Sequence, residues 1–261
     1  MLYGNVRFSF DFCQKNDAMK IFQCIKKRQA AQKPMLSVLI DPDFYYNRKD
    51  KLLKTLKIIE QSKTDFIFVG GSLLLFPMAE VIATIKAETA KPLILFPGSV
   101  HQLSSEADGI LFLSLLSGRN PDFLIGNHIL SAPFLKRSPL EILPTRYMLI
   151  ESGVSTSVEY VSQTKPIPRN KADIAVATAL AGELLGLKLI YMDAGSGAKY
   201  PIEEKMIAQV KQNIDIPLLI GGGLNTPQKV EKALSGGADM VVVGNVLEKK
   251  TSFLEKISTF F

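Results

Sequence analysis

The feature that most constrains this chain is a repeating alternation: a short, continuously apolar run, then a stretch whose apolar residues recur at helical spacing. Eight runs qualify as strands, at residues 35–41, 65–70, 92–96, 109–113, 146–150, 188–192, 216–220 and 239–243. Most are apolar at successive rather than alternate positions, as strands covered on both faces must be. Helical patterns lie at 48–61, with Leu52, Leu53, Leu56 and Ile59 on one face, and at 77–88, 121–136, 171–185, 201–212 and 227–235. A last short helix starts from Glu248. Several of these patterns open on proline, which a first helical turn tolerates because its N–H would be unpaired anyway. Residues 98–108 read poorly as a helix, so the unit after the third strand is expected to be irregular. Strands alternating with helices, and no linker between them, predict an α/β chain. We expect a single closed (β/α)8 barrel, a TIM barrel, as one domain over residues 1–261, with an extra N-terminal helix. An open doubly wound sheet is the fallback.

Composition agrees. With 261 residues, 47% of them hydrophobic, the chain can bury one large core, and barrels of about 250 residues fold as one domain. The two cysteines, Cys13 and Cys24, suit neither a zinc site nor a disulfide framework, which favours a reducing, cytoplasmic setting. The first stretch, MLYGNVRFSFDFCQ, lacks a charged start followed by a long apolar run, so no signal peptide is expected. No apolar stretch reaches the roughly 18 residues that a bilayer span needs. The net charge of +6 would serve nucleic acid, an acidic membrane surface or an anionic substrate. Basic residues are scattered and not interleaved with aromatics in any nucleic-acid motif, which argues against nucleic acid. The densest cluster, Lys26-Lys27-Arg28, reads as a solvated helix face in preference to a membrane contact.

In a barrel of this type the chemistry sits on the loops after the strand C-termini. Those positions hold Asp41-Pro42-Asp43, Gly70-Gly71-Ser72, Pro97-Gly98-Ser99, Glu151-Ser152-Gly153, Asp193-Ala194-Gly195-Ser196-Gly197, Gly221-Gly222-Gly223 and Gly244-Asn245. Glycine groups after the last three strands are the strongest signal: a phosphate needs several N–H donors at short range, and glycine removes the Cβ that would keep the backbone away. One glycine pair would be ordinary turn chemistry; groups on consecutive strand ends point to phosphate. The helix starting near Thr226 would add its free amides. Asp41, ending the first strand before a proline, can hold Mg²⁺, with Ser72 adding a hydroxyl; a loop cap is the alternative. Asp193, beside the phosphate glycines, is placed as a general base; capping a turn is the alternative. His101 and His128 lie on no metal-ligand spacing and read as packing residues. Apolar runs at 73–77 and 111–116 outlast normal strand length near the active rim, and a greasy groove leading from the phosphate site would explain both.

These residues together resemble a known family, the geranylgeranylglyceryl phosphate synthases, over residues 35–249. The resemblance rests on LIDPD at 39–43, VGGS at 69–72, LFPGS at 95–99, SAP at 131–133, LIESG at 149–153, NKADIA at 170–175, YMDAGSGA at 191–198, GGG at 221–223 and VVGN at 242–245. The longer loops look like the family's second group, which includes bacterial members. The resemblance implies a prenyltransferase that joins sn-glycerol 1-phosphate to geranylgeranyl diphosphate by an ether bond and releases diphosphate. It implies Mg²⁺ on Asp41 and Ser72. Tyr191, Met192, Asp193, Ala194, Gly195, Ser196, Gly197, Gly222, Gly223, Gly244 and Asn245 would hold the glycerol phosphate. Asp193 would be the base, with Tyr191 beside it, and Lys171 would assist at the diphosphate. A homo-oligomer, dimer or hexamer, is implied, and a peripheral membrane contact is left open. Two positions depart from the family pattern: Asp193 stands where glutamate is usual, and Leu39 stands where some relatives have lysine. Three rival readings remain: a longer donor such as heptaprenyl diphosphate, an isomerase or lyase of a phosphorylated metabolite on the same barrel, and a non-catalytic phosphate-binding module.

Overall fold

The structure, a computed structural model, describes residues 20–261; Cys13 and the opening stretch lie outside them. Eight parallel strands close into a barrel in chain order, the first pairing with the last. They are β1 (Met35–Ile40), β2 (Phe66–Val69), β3 (Leu93–Leu95), β4 (Gly109–Leu115), β5 (Glu141–Leu149), β6 (Leu189–Asp193), β7 (Leu218–Gly221) and β8 (Met240–Val243). The helices are α1 (Ile21–Ala30), α2 (Pro42–Tyr45), α3 (Lys49–Gln61), α4 (Ala79–Glu88), α5 (Asn127–Arg137), α6 (Ser157–Ser162), α7 (Ala172–Leu184), α8 (Glu204–Lys211), α9 (Pro227–Ser235), α10 (Asn245–Lys249) and α11 (Phe253–Ile257). As expected, no α-helix follows β3: a short 3₁₀ turn, Val100–Gln102, stands there.

Side-chain alternation divides the apolar residues into two cores. Phe66, Phe68, Ile94, Leu111, Leu143, Tyr147, Tyr191 and Leu219 point into the barrel. Their neighbours Ile67, Val69, Leu93, Ile110, Met148, Met192, Leu218 and Ile220 face the helical layer. Both faces of each strand are therefore dry, the physical reason the strands read as unbroken apolar runs. α1 closes the barrel's lower end. Its first amides, those of Ile21 and Phe22, donate to the two carboxylate oxygens of Glu141 at the start of β5, so an anion caps the positive end of the helix. Ile21 and Ile25 pack into the inner core.

Three element readings need correction. β5 starts at Glu141, five residues before the expected strand, because Pro144 disguises it. A proline N–H is missed only where a ladder bond needs it; the Pro144 carbonyl accepts from Lys188 at 2.9 Å, and its absent N–H would point past the start of β6, where no partner strand exists. The expected helix at 121–136 begins as a π-helical turn, Asp122–Gly126, before α5. The helix expected from Glu248 starts at Asn245. The short helices α2 and α6 carry too little periodicity to register in the sequence.

Candidate active site

The C-terminal ends of the strands surround a cavity of about 450 Å³. Asp41, Ser72, Tyr191, Asp193, Gly195, Ser196, Gly197, Gly222, Gly223, Gly244 and Asn245 all line it, so most of the residues singled out in the sequence meet in one place. Four expectations fare differently. Met192 and Ala194 pack into the outer core, where alternation sends them, leaving only their backbone near the site. Lys171 is the exposed N-cap of α7 and is not among the lining residues. At the β6–β8 end the helix whose first residues line the cavity is α10, with Asn245 and Val246; Thr226 instead accepts from the Lys229 amide and caps α9 outside the lining.

At the β6–β8 end, backbone conformation sets the geometry. Gly195, Gly197, Gly222 and Gly223 all have positive φ. A Cβ at Gly222 would stand 2.6 Å from Asp193 Oδ1 and from the amide nitrogens of Ala194 and Gly195, so only glycine lets the β7 loop approach the β6 loop this closely. Among the described residues the Gly222 and Gly223 amides have no hydrogen-bond acceptor. Asn245 Nδ2 donates to Ser196 Oγ at 2.8 Å, tying the β8 loop to the β6 loop.

Asp193 is buried at the foot of this cup. Its Oδ1 accepts from the Gly195 amide at 2.8 Å, and its Oδ2 accepts from the Tyr147 hydroxyl at 2.7 Å. Burial pushes its carboxyl above the usual aspartate value, while these two hydrogen bonds pull the other way. Burial and the neighbouring Asp193 charge hold the phenols of Tyr147 and Tyr191 well above their ordinary value, so Tyr147 is a hydrogen-bond donor. Asp193 thus combines both sequence readings: it caps a turn through Oδ1, and it is a desolvated carboxylate facing the cavity. Each oxygen keeps a lone pair for a further donor.

The β1–β3 end is built differently. Asp41 N-caps α2, with Oδ1 accepting from the Asp43 amide at 2.9 Å. Gln102 replaces the missing helix as a brace. Its Oε1 accepts from Gly71 at 3.3 Å and Gly98 at 3.1 Å, and its Nε2 donates to the Gly71 carbonyl at 2.8 Å, fixing the loop that carries Ser72. Glu248 lines the cavity as well. Burial and then the nearby Asp41 charge push its carboxyl up; burial and then the Asp43 charge, against backbone hydrogen bonds, raise that of Asp41. Repelling carboxylates are hard oxygen donors that a small divalent cation would relieve, and Ser72 lines the same cavity. Among the described residues no group of three or more His, Cys, Asp or Glu side chains forms a metal cluster. The set fits Mg²⁺, which typically takes one or two carboxylates and completes its shell with water and phosphate oxygens.

Between the two ends the wall is apolar: Phe96, Leu111, Leu113, Phe123 and Val158 line it, with Leu73 and Leu75 at the edge. This covers much of both long apolar runs. His128 corrects the sequence reading in part. It packs edge-on against Phe112 with centroids 4.4 Å apart, but it also lines the cavity and pairs with Ser114 Oγ at 2.9 Å. Sequence reasoning also missed Tyr147, Gln102 and Glu248: Tyr147 sits inside β5 among core aromatics, and Gln102 and Glu248 lie several residues beyond the ends of β3 and β8.

A closed (β/α)8 barrel with its cavity at the strand C-termini, polar at both ends and apolar between, defines the class of protein. The chain belongs to the PcrB family, whose pattern it matches over residues 30–260, the family of the geranylgeranylglyceryl phosphate synthases. It is 49% identical over 224 residues to the geranylgeranylglyceryl phosphate synthase of Spirosoma linguale, covering 85% of this chain and 89% of that one. Identity to the synthase of Pyrococcus furiosus is 42% over 220 residues, covering 84% and 86%. The crystal structure of the (S)-3-O-geranylgeranylglyceryl phosphate synthase of Thermoplasma acidophilum with its substrate sn-glycerol-1-phosphate superposes with a TM-score of 0.87 at 32% identity, covering 93% of this chain and 98% of that one.

Proposed function

We propose that this protein is a prenyltransferase that joins sn-glycerol 1-phosphate to geranylgeranyl diphosphate by an ether bond, releasing diphosphate. One observation carries the reading: a single cavity runs from a glycine cup with free amides, past a buried carboxylate, into an apolar channel. Relatives named for this reaction, and a neighbour whose structure holds sn-glycerol-1-phosphate, support it.

In this reading the amides of Gly222 and Gly223, with the β6 loop and the start of α10, hold the phosphate. The glycerol then presents its 3-hydroxyl to Asp193. That oxygen bonds to the allylic carbon of the donor as the bond from that carbon to diphosphate oxygen breaks, and Asp193 takes the proton. The apolar wall keeps water from capturing the carbon as it gains positive charge. Asp41 and Ser72, with Glu248 alongside, would hold Mg²⁺, which would neutralise charge on the departing diphosphate. The scheme asks nothing of Lys171. As separate parts of the same proposal the chain works as one domain, as a homo-oligomer and in the cytoplasm; the scheme itself requires none of these.

Incubating the protein with sn-glycerol 1-phosphate and a ladder of prenyl diphosphates, products read by mass, tests the proposal. The expected product is the C20 ether. Product from heptaprenyl diphosphate alone moves the assignment to a longer donor. Conversion of the glycerol phosphate without any prenyl donor sinks the transferase reading.

A further inference from the structure

The cavity opens beside a loop that displays apolar side chains to solvent. Between β2 and α4, Leu73 is 62% exposed, Leu75 74% and Phe76 41%. Leu73 and Leu75 also line the cavity, which puts them at its mouth. This loop is held in place. Asp43 accepts from the Leu75 amide at 2.8 Å and the Phe76 amide at 3.1 Å, and the Phe76 ring stacks on Tyr46 with centroids 3.9 Å apart. Further round the rim Ile125, between the lining residues Phe123 and Asn127, is 55% exposed. Rigid apolar residues presented outward mark a docking surface rather than a failed core.

Cations flank this lip. Arg48 and Lys51 both stand over the Phe44 ring, at 4.9 Å and 4.4 Å from its centre, on the segment that Asp43 and Tyr46 fasten to the lip. With Lys49 they are exposed. Of the acidic groups at this end, Asp41, Asp43 and Glu248 line the cavity, and Asp50 alone is exposed among the three cations. The outer surface therefore pairs protruding leucines with positive charge, on a chain whose net charge is +6. Among the described residues no helix is long and apolar enough to cross a membrane.

We infer that this lip seats the cavity mouth on an anionic lipid bilayer, with Leu73, Leu75 and Phe76 in the interface and Arg48, Lys49 and Lys51 against lipid phosphates. The inference rests on the apolar channel being the prenyl site. A long-chain donor dissolves in bilayers rather than in water, and a seated mouth lets its tail pass from lipid into the channel without crossing solvent.

The test is co-sedimentation of the whole protein, without substrates, with vesicles of phosphatidylcholine alone or of phosphatidylcholine and phosphatidylglycerol in equal parts. Binding is expected only to the anionic vesicles and should weaken as salt is raised. The Leu73→Ser/Leu75→Ser double variant should bind at least about tenfold more weakly, and so should Arg48→Glu/Lys51→Glu. Retained calorimetric binding of sn-glycerol 1-phosphate would establish that both variants are folded. No binding by the natural sequence, or unchanged binding by the leucine variant, overturns the inference. Loss of self-association in the leucine variant with vesicle binding intact also overturns it, by making the lip a contact between copies. Transferase activity in detergent is measured separately. Activity without vesicle binding refutes the docking alone, and vesicle binding without activity refutes the prenyl reading alone.

Discussion

Asp193 accepts two hydrogen bonds and, on the proposed function, takes one proton, and substitutions can separate these. Asp193→Ala should lower the single-turnover rate by about 10²–10⁴-fold, the usual contribution of a positioned base. Asp193→Glu should keep substantial activity because the acceptor remains and only its reach changes. If Asp193 merely capped the turn, the alanine variant would melt earlier yet turn over normally per folded molecule, so rates and thermal unfolding are both measured. Tyr147 permits a finer test. Its hydrogen bond holds the Asp193 carboxyl below the value burial alone would give. Tyr147→Phe removes that pull, so the carboxyl titrates higher and the acid limb of kcat/KM against pH should move to higher pH. An unmoved limb would remove Tyr147 from the acid–base machinery. Asp41 is the third residue to probe: Asp41→Asn should sharply reduce turnover and leave glycerol-phosphate binding nearly intact, because a neutral amide is a poorer ligand for Mg²⁺. Full activity in excess chelator would dismiss the metal. Asp41 and Asp193 were legible in the sequence because each interrupts an apolar run at a strand end. Tyr147 was not, since a tyrosine within a strand looks like any other core aromatic.

On the proposed function, loops and helix starts decide how the acceptor substrate is held. Gly223 has φ +70, a region that side chains with a Cβ rarely adopt. Gly223→Val should weaken calorimetric binding of sn-glycerol 1-phosphate while leaving prenyl diphosphate binding little changed. Unchanged affinity would move the phosphate cup elsewhere. Element by element, the sequence was informative where periodicity ran long: α3, α7 and α9 fall within a residue of their expected bounds. It failed where an element is short or carries an atypical residue, as with α2, α6 and the proline-bearing start of β5. The choice between α9 and α10 at the phosphate end was invisible for a different reason. Both follow glycines at the ends of their strands, Gly221 and Gly244, so nothing in the sequence singles out one helix start over the other.

Across the whole molecule, the two cores divide the labour. The inner core is sealed below by α1 and carries Tyr147 and Tyr191 close to the chemistry; the outer one attaches the helices. Glu141→Ala should cost about 1 kcal/mol in denaturant unfolding, as loss of a helix cap does, and leave the active face untouched; a change in kcat without a change in stability would contradict that separation. The barrel itself could be read from the rhythm of the chain because each strand must be dry on both sides. The brace at Gln102 could not, since nothing in a sequence says which glutamine will take the place of a helix. That brace has a consequence for how such proteins diversify. A helix resists alteration through every turn packed beneath it, whereas this wall of the channel depends on the two ends of one amide. On the proposed function, lengthening, shortening or reshaping the segment behind it would change the size of tail admitted, as a tailor lets out a seam, without recutting the eight strands that hold Asp193 and the β6–β8 glycines in register.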